Sequence, residues 1–369
     1  MKIDTNLNWR SGVTDSLAGF AERGRASEKA GYHGVWTAEA GHDPFLPLVA
    51  AAQATTKIEV GTAITVAFAR NPMSLAYTAY DLQLLTGGRF VLGLGSQVRP
   101  HIERRFGMPW SRPAARMREF IEAMRAIWAA WTTGDKLEFH GEFYRHTLMT
   151  PFFSPGPSQY GPPQVYLAAV GKAMTEVAGS ACDGLLPHPF TTERYLREAT
   201  MPTVERALSG AGRTREDFSI CFQGLVATGR TQEQMDLAIR RVREQIAFYA
   251  STPAYQSVLE LHGWDDLGRD LGVLARNGAD DRWERMGELI DDEVLTTFSV
   301  VAEADELGNA IAERFGDIVD RFSFYAPYEH DESLWQPAIR QLSEHHSDWA
   351  NGRLSASAKP ASMSSRNAW

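Results

Sequence analysis

Apolar and polar positions along this chain switch repeatedly between strand-like alternation and the one-turn spacing of amphipathic helices. Lys2 to Asn6 alternates as a strand does. His33 to Ala38, Ile58 to Ile64, Phe90 to Leu94, Val165 to Ala168, Gly184 to Pro187, Ser219 to Ala227 and Val319 to Tyr325 complete a predicted set of eight. Helices are predicted between them. Leu17 to Ala30 keeps Leu17, Phe20, Ala21, Gly24, Ala26 and Ala30 on one small or apolar side and meets a stop at Gly31. The most informative step begins at Arg70-Asn71-Pro72, where a helix ends in Gly87-Gly88-Arg89 and runs straight into Phe90 to Leu94 and a Gly95-Ser96 turn. Strand and helix alternating in this way predict parallel βαβ units, hence an α/β chain folded as a (β/α)8 TIM barrel with its site at the strands' C-terminal ends.

Two stretches break the rhythm. Asp135 to His146 is expected as a hairpin or extended excursion, followed by a Pro-rich loop from Pro151 to Pro163. Tyr249 to Thr297 is expected as a helical cap before the last strand, with Tyr255, Leu259, Leu261, Trp264, Leu267, Leu271, Leu274, Trp283, Met286 and Leu289 facing inward. Such insertions shape the pocket at a barrel's catalytic rim. Residues 1–350 are expected to form one domain, and the Ser- and Ala-rich stretch from Asn351 to Trp369 a disordered tail.

Composition narrows the function. A hydrophobic fraction of 44% supplies a large core, and a net charge of -9 argues against a nucleic-acid partner. Cys182 and Cys221, both in apolar contexts, point to no disulfide framework and a reducing compartment. With no signal region and no apolar run long enough for a span, a soluble, cytoplasmic protein without a membrane partner is expected. Gly93-Leu94-Gly95-Ser96-Gln97-Val98 starts like a dinucleotide fingerprint but carries Val98 where the third glycine belongs. The Walker A, nucleophile-elbow and His-Glu-x-x-His patterns are absent, and the adjacent His345 and His346 precede the tail, so no metal is assigned.

Two turns carry candidate chemistry. After the fifth strand, Val170-Gly171-Lys172 opens a helix whose backbone N–H groups face outward, which suits a phosphate with Lys172 adding charge; an ordinary strand-to-helix turn is the alternative. After the second strand, Glu39 and His42 reach the barrel rim, where a carboxylate and an imidazole can position or exchange protons. Capping of the next helix by Glu39 and Asp43 is the plainer reading of that turn.

Taken in order, Ala30 to Glu39, Asp43 to Leu48, Gly61-Thr62-Ala63-Ile64, Arg70-Asn71-Pro72, Gly87 to Gly95, Pro162 to Val165, Gly171-Lys172 and Ala181 to Gly184 resemble the luciferase-like monooxygenase superfamily, and more closely its branch that uses the deazaflavin coenzyme F420. The resemblance covers roughly residues 1–190, with Val319 to Tyr328 similar to the closing strand. It implies a (β/α)8 barrel and a tricyclic ring resting on a bulge at Ala63-Ile64-Thr65, which often contains a non-prolyl cis peptide. It also implies Ser96 and Gln97 as a wall of the cofactor pocket and the cofactor phosphate on Val170-Gly171-Lys172.

The activity implied is hydride transfer between coenzyme F420 and a small organic substrate, with His42 moving the proton and Glu39 holding the imidazole or cofactor. Homodimers are common among similar proteins. Some relatives carry histidine where this chain has Ala40, and glutamate where it has Gln97-Val98; these departures leave no specific sugar-phosphate or alcohol dehydrogenase activity assigned. His101, Trp264 and Tyr328 are the substrate-side candidates. Two alternatives stand beside this reading: an FMN-dependent monooxygenase using the same pocket, and a non-catalytic barrel that only binds.

Overall fold

In the computed structural model, residues 1–9, 16–277 and 281–350 are described, with side chains to residue 344. Eight parallel strands close a barrel: β1 (Lys2–Asn6), β2 (Gly34–Thr37), β3 (Glu59–Thr62), β4 (Phe90–Gly95), β5 (Gln164–Ala169), β6 (Gly184–Pro187), β7 (Ser219–Ala227) and β8 (Arg321–Tyr325). Each pairs with its successor, and β8 returns to β1 through Lys2↔Arg321 and Asp4↔Ser323. The predicted strands are therefore the observed ones, with one informative exception at β3. Between the pairs Gly61↔Val91 and Thr65↔Leu94 the first strand advances four residues and the second three, so one residue is extra and the ladder bulges at Ala63-Ile64. That peptide bond is cis.

Local chemistry sets the helix ends. The Ser16 hydroxyl accepts from the Gly19 N–H at 3.1 Å to start α1 (Leu17–Ala30), and Gly31, at φ 94°, stops it in a conformation costly for any residue with a Cβ. Asp43 Oδ1 accepts from the Phe45 and Leu46 N–H groups at 2.8 and 3.3 Å, opening α2 (Phe45–Ala54). Asn71 accepts from Ser74 N–H at 2.9 Å with Pro72 in the first turn of α3 (Pro72–Leu85). After the Gly87-Gly88 turn, the Arg89 guanidinium donates to the carbonyls of Ala52, Thr55 and Ile58, tying the end of α2 to the start of β3. Next come α4 (Pro113–Thr133), α5 (Lys172–Ala181) and a helical run with a π turn at Leu196–Thr200 that ends in α6 (Met201–Gly210). The expected hairpin is present as Phe139–His140 against Arg145–His146.

The main core lies between strands and helices, where Trp128, Trp131, Phe120 and Phe322 are fully buried. Inside the barrel's lower half, Arg321 donates to both oxygens of Asp4, at 2.8 and 2.7 Å, and also to Glu59. A Cβ on Gly34 would fall 2.5 Å from the Arg321 Nη2 and 2.6 Å from Asp4 Oδ1, so this polar plug occupies the space a side chain would need.

A second core belongs to the cap. It is built from α7 (Gln232–Ala250), α8 (Gln256–His262), α9 (Asp265–Arg276), α10 (Arg282–Glu288) and α11 (Asp292–Phe298), around Val242, Ile246, Leu259, Leu271, Met286 and Phe298. Helix α7 begins the cap well before Tyr249. Leu289, expected inward, is 43% exposed because it is the residue that ends α10 and turns out of the cap core. The Ser299–Val301 strand then leads back, parallel to β7. Residues 351–369 and the side chains of His345 and His346 lie outside the described residues. No described helix is long and apolar enough to cross a membrane.

Candidate active site

Seven of the eight strands, and the bulge that follows β3, contribute to one cavity of about 370 Å³ at the C-terminal mouth of the barrel. Asn6, Trp36, Gly95, Ala169, Pro187, Gln223 and Ser323 mark its circuit from β1 to β8, and the bulge residues Ala63 and Ile64 form one side. Its size falls in the range of about 300–1,000 Å³ usual for small-molecule sites. The floor is the barrel's inner cluster of Trp36, Tyr166, Leu186 and Cys221, and beneath it the Arg321 guanidinium lies 5.4 Å from the Trp36 ring centre. Burial pushes the Cys221 thiol well above its ordinary value, so it packs as a neutral group. A Cβ on Gly95 would meet the Ile64 side chain at 2.7 Å; glycine is what lets β4 and the bulge lie this close.

Among the described residues lining this cavity none is Asp, Glu, Lys or Arg. His188, just past β6, is neutral as well, since burial drags its pKa down to about 4. Its Nδ1 accepts from the Phe190 N–H at 3.0 Å, and its Nε2 lies 3.0 Å from the Tyr255 hydroxyl, which arrives from the cap. Burial, then the neighbouring Tyr249, raises the Tyr255 phenol to about 12.

A second cavity of about 230 Å³ adjoins the first through Val170, which lines both. Its wall includes Lys172, Thr175, Tyr195, Glu198 and Arg206. Gly171 caps α5 without a side chain, and a Cβ there would meet nothing within 4 Å, so the N-terminal N–H groups of a ten-residue helix are openly approachable. Glu198 is engaged by Arg194 at 3.0 Å. An uncharged slot beside a pocket with two cations and a free helix N-terminus suits a flat neutral ring carrying an anionic tail. The residues therefore fit a deazaflavin or flavin nucleotide.

The sequence-derived candidates divide sharply by place. Ala63, Ile64, Ser96, Gln97 and Val170 line the first cavity, and Val170 and Lys172 the second, with Gly171 between them. Gln97 sits at φ 60°, its side chain accepting from the Val98 N–H at 2.9 Å, while the Ser96 hydroxyl donates to the Gln97 carbonyl at 3.0 Å. Thr65 is wholly buried behind the bulge.

Glu39 and His42 do not meet. Glu39, with its side chain 8% exposed, accepts from the Val66 N–H at 2.8 Å and from Arg70, bracing the bulge from outside the cavity. His42 is exposed at the rim and stacks on Trp9 at 4.3 Å and 24°. His101 begins an exposed π turn. Trp264 stacks on His262 at 4.7 Å within the cap core, and the Tyr328 hydroxyl accepts from Thr228 N–H at 3.1 Å beside a separate small cavity. Sequence reasoning passed over His188 as a site residue. Its signal was its position immediately after a predicted barrel strand, in Pro187-His188-Pro189. No group of side chains with metal-ligand composition occurs among the described residues.

Comparison with known proteins agrees with this architecture. An uncharacterized protein of Mycobacterium tuberculosis is 51% identical over 309 residues, spanning 84% of this chain and 90% of the relative. The F420-dependent glucose-6-phosphate dehydrogenase of Amycolatopsis mediterranei is 26% identical over 315 residues, spanning 84% and 85%. The solved coenzyme F420-dependent tetrahydromethanopterin reductase of Methanopyrus kandleri shares the fold, with a TM-score of 0.74 at 19% identity over 93% of this chain and 99% of that one. The family model for luciferase-like monooxygenases matches residues 1–321, well over half of the chain, so the protein belongs to that family.

Proposed function

We propose that this protein is a coenzyme F420-dependent oxidoreductase acting on a small organic substrate. The observation that carries the reading is the joined pair of cavities, one uncharged and one lined by Lys172 and Arg206 at the open N-terminus of α5. When bound, the deazaflavin supplies two-electron hydride chemistry at its C5 position. Ala63, Ile64, the Ser96-Gln97 turn and Trp36, which line the uncharged cavity, are the residues that would hold the ring. The Gly171 to Ala173 backbone and Lys172 take the phosphate, with Arg206 reaching the remaining charge of the tail. Glu39 fixes the bulge through Val66 and Arg70. His42 stands exposed at the rim, stacked on Trp9 and apart from the residues that line the cavity.

The test is a binding competition. Purified protein is titrated with F420, followed by quenching of its fluorescence, and separately with FMN. Saturable F420 binding that FMN displaces only weakly is expected. Tight FMN binding without F420 binding would overturn the assignment in favour of a flavin monooxygenase, and binding of neither would leave the barrel without redox chemistry.

A further inference from the structure

The uncharged lining of the first cavity has a consequence for what it receives. A phosphorylated or carboxylated group entering it would give up hydration with no cation among the described lining residues to replace it. The part of a substrate held there is therefore neutral, and it is gripped by hydrogen bonds alone.

One donor in this wall is fixed in direction. Because His188 Nδ1 accepts the Phe190 N–H, the single proton of the neutral imidazole resides on Nε2 and is given to the Tyr255 hydroxyl oxygen 3.0 Å away. The phenol's own proton is then left to donate elsewhere, and Tyr255 lines the cavity. Aromatic neighbours hold the arrangement: the His188 and Tyr255 rings stack at 4.3 Å, and Tyr249 packs edge-on against both, at 4.9 and 5.9 Å. Tyr249 is itself tied to Tyr325 of β8, hydroxyl to hydroxyl, at 2.9 Å.

We infer that the Tyr255 hydroxyl, oriented by His188, donates the hydrogen bond that holds and polarises the carbonyl oxygen of an uncharged substrate. The inference rests on the oxidoreductase reading, in which a carbonyl oxygen gains negative charge as its carbon is reduced. A preorganised neutral donor favours that change over the ground state without needing a counter-charge. Tyr255 is the group that touches the substrate, and His188 acts through it as a positioning residue.

The experiment uses 4-fluoroacetophenone as a neutral carbonyl probe and 4-fluorobenzoate as its anionic counterpart. Affinity is read by fluorine NMR and the hydrogen bond by the infrared carbonyl stretch of the bound ketone. Wild type is expected to bind the ketone saturably, to lower its carbonyl stretch, and to bind the benzoate at least tenfold more weakly, an order-of-magnitude expectation from desolvating a charge. Tyr255→Phe removes one oxygen from a packed ring; it is expected to weaken the ketone about five- to tenfold and abolish the stretch shift. His188→Leu loses the shift although Tyr255 remains, and His188→Gln, which keeps a donor near the Nε2 position, restores it. An unchanged ketone affinity and carbonyl stretch in Tyr255→Phe, benzoate binding as tight as the ketone's, or no saturable ketone binding by wild type would each overturn the inference. F420 titration of the same variants separates the two claims: loss of F420 binding by wild type sinks the cofactor reading, whereas intact F420 binding with an unaffected ketone signal sinks the Tyr255 role alone.

Discussion

Replacing Glu39 separates a structural brace from a catalytic acid. Its carboxylate receives the Val66 N–H at 2.8 Å and the Arg70 guanidinium, while its side chain is 8% exposed and that of Arg70 22%. A hydrogen bond to a charged group contributes about 1.5–3 kcal/mol, and removing one partner of a fully buried ion pair costs about 3–5 kcal/mol. Arg70 keeps partial solvent access, a 3.5 Å contact with Asp43 and a 3.3 Å bond to the Val66 carbonyl, so the cost falls somewhat below that of a fully buried pair. Glu39→Ala is therefore expected to cost about 2–4 kcal/mol. Glu39→Gln, which preserves an acceptor for Val66, is expected to cost about 1–2 kcal/mol. Urea unfolding at unchanged m-value measures both. A cycle with Arg70→Ala should show a coupling of about 1–3 kcal/mol, because each single change removes the same contact. Additive effects in that cycle, or a Glu39→Gln protein of wild-type stability that has lost turnover, would refute the bracing role and return Glu39 to the chemistry.

Further measurements probe other parts of the molecule. Lys172→Ala should weaken F420 binding by about 1–3 kcal/mol, and less so at high ionic strength, in a fluorescence titration; an unchanged dissociation constant removes Lys172 from the phosphate site. Gly34→Ala drives a methyl group into the Arg321–Asp4 pair and should cost about 1–3 kcal/mol in thermal unfolding, whereas a neutral result means the plug can shift aside. Burial pushes the Glu59 carboxyl up, but Arg321 and Lys2 outweigh it and hold the pKa below its ordinary 4.5. Its stabilising contribution is thus complete above pH 4.5 and fades as pH falls through the folded-state value, so Glu59→Gln should flatten stability in that acid window.

The barrel was legible because the strands are short alternating or apolar runs ended by turn residues, and because Gly31 and Gly87-Gly88 mark where helices must stop. The bulge was legible only through resemblance, since no local pattern separates Ala63-Ile64 from the strand it interrupts. The site was partly legible for a different reason. Turn residues such as Ser96 and Gly171 act through backbone position, which sequence fixes locally. The roles of Glu39 and His188 depend on partners 31 and 67 positions away, Arg70 and Tyr255, and nothing in the intervening chain announces either contact. Leu289 fits a helical face by spacing, yet its helix ends one residue too soon to bury it.

The pairing of Asp4 with Arg321 joins residues 317 positions apart, so it bears on how the chain is born. At a synthesis rate of about 5–20 residues per second, a ribosome needs roughly 16–63 s to add the 317 residues that separate the carboxylate of the first strand from its guanidinium on the last. Throughout that interval β1 lacks the neighbour that β8 will provide, and β7, once made, forms the other edge of the open seam. Closure thus waits for β8, and until then the incomplete barrel presents unpaired strand edges of the kind a chaperone shields.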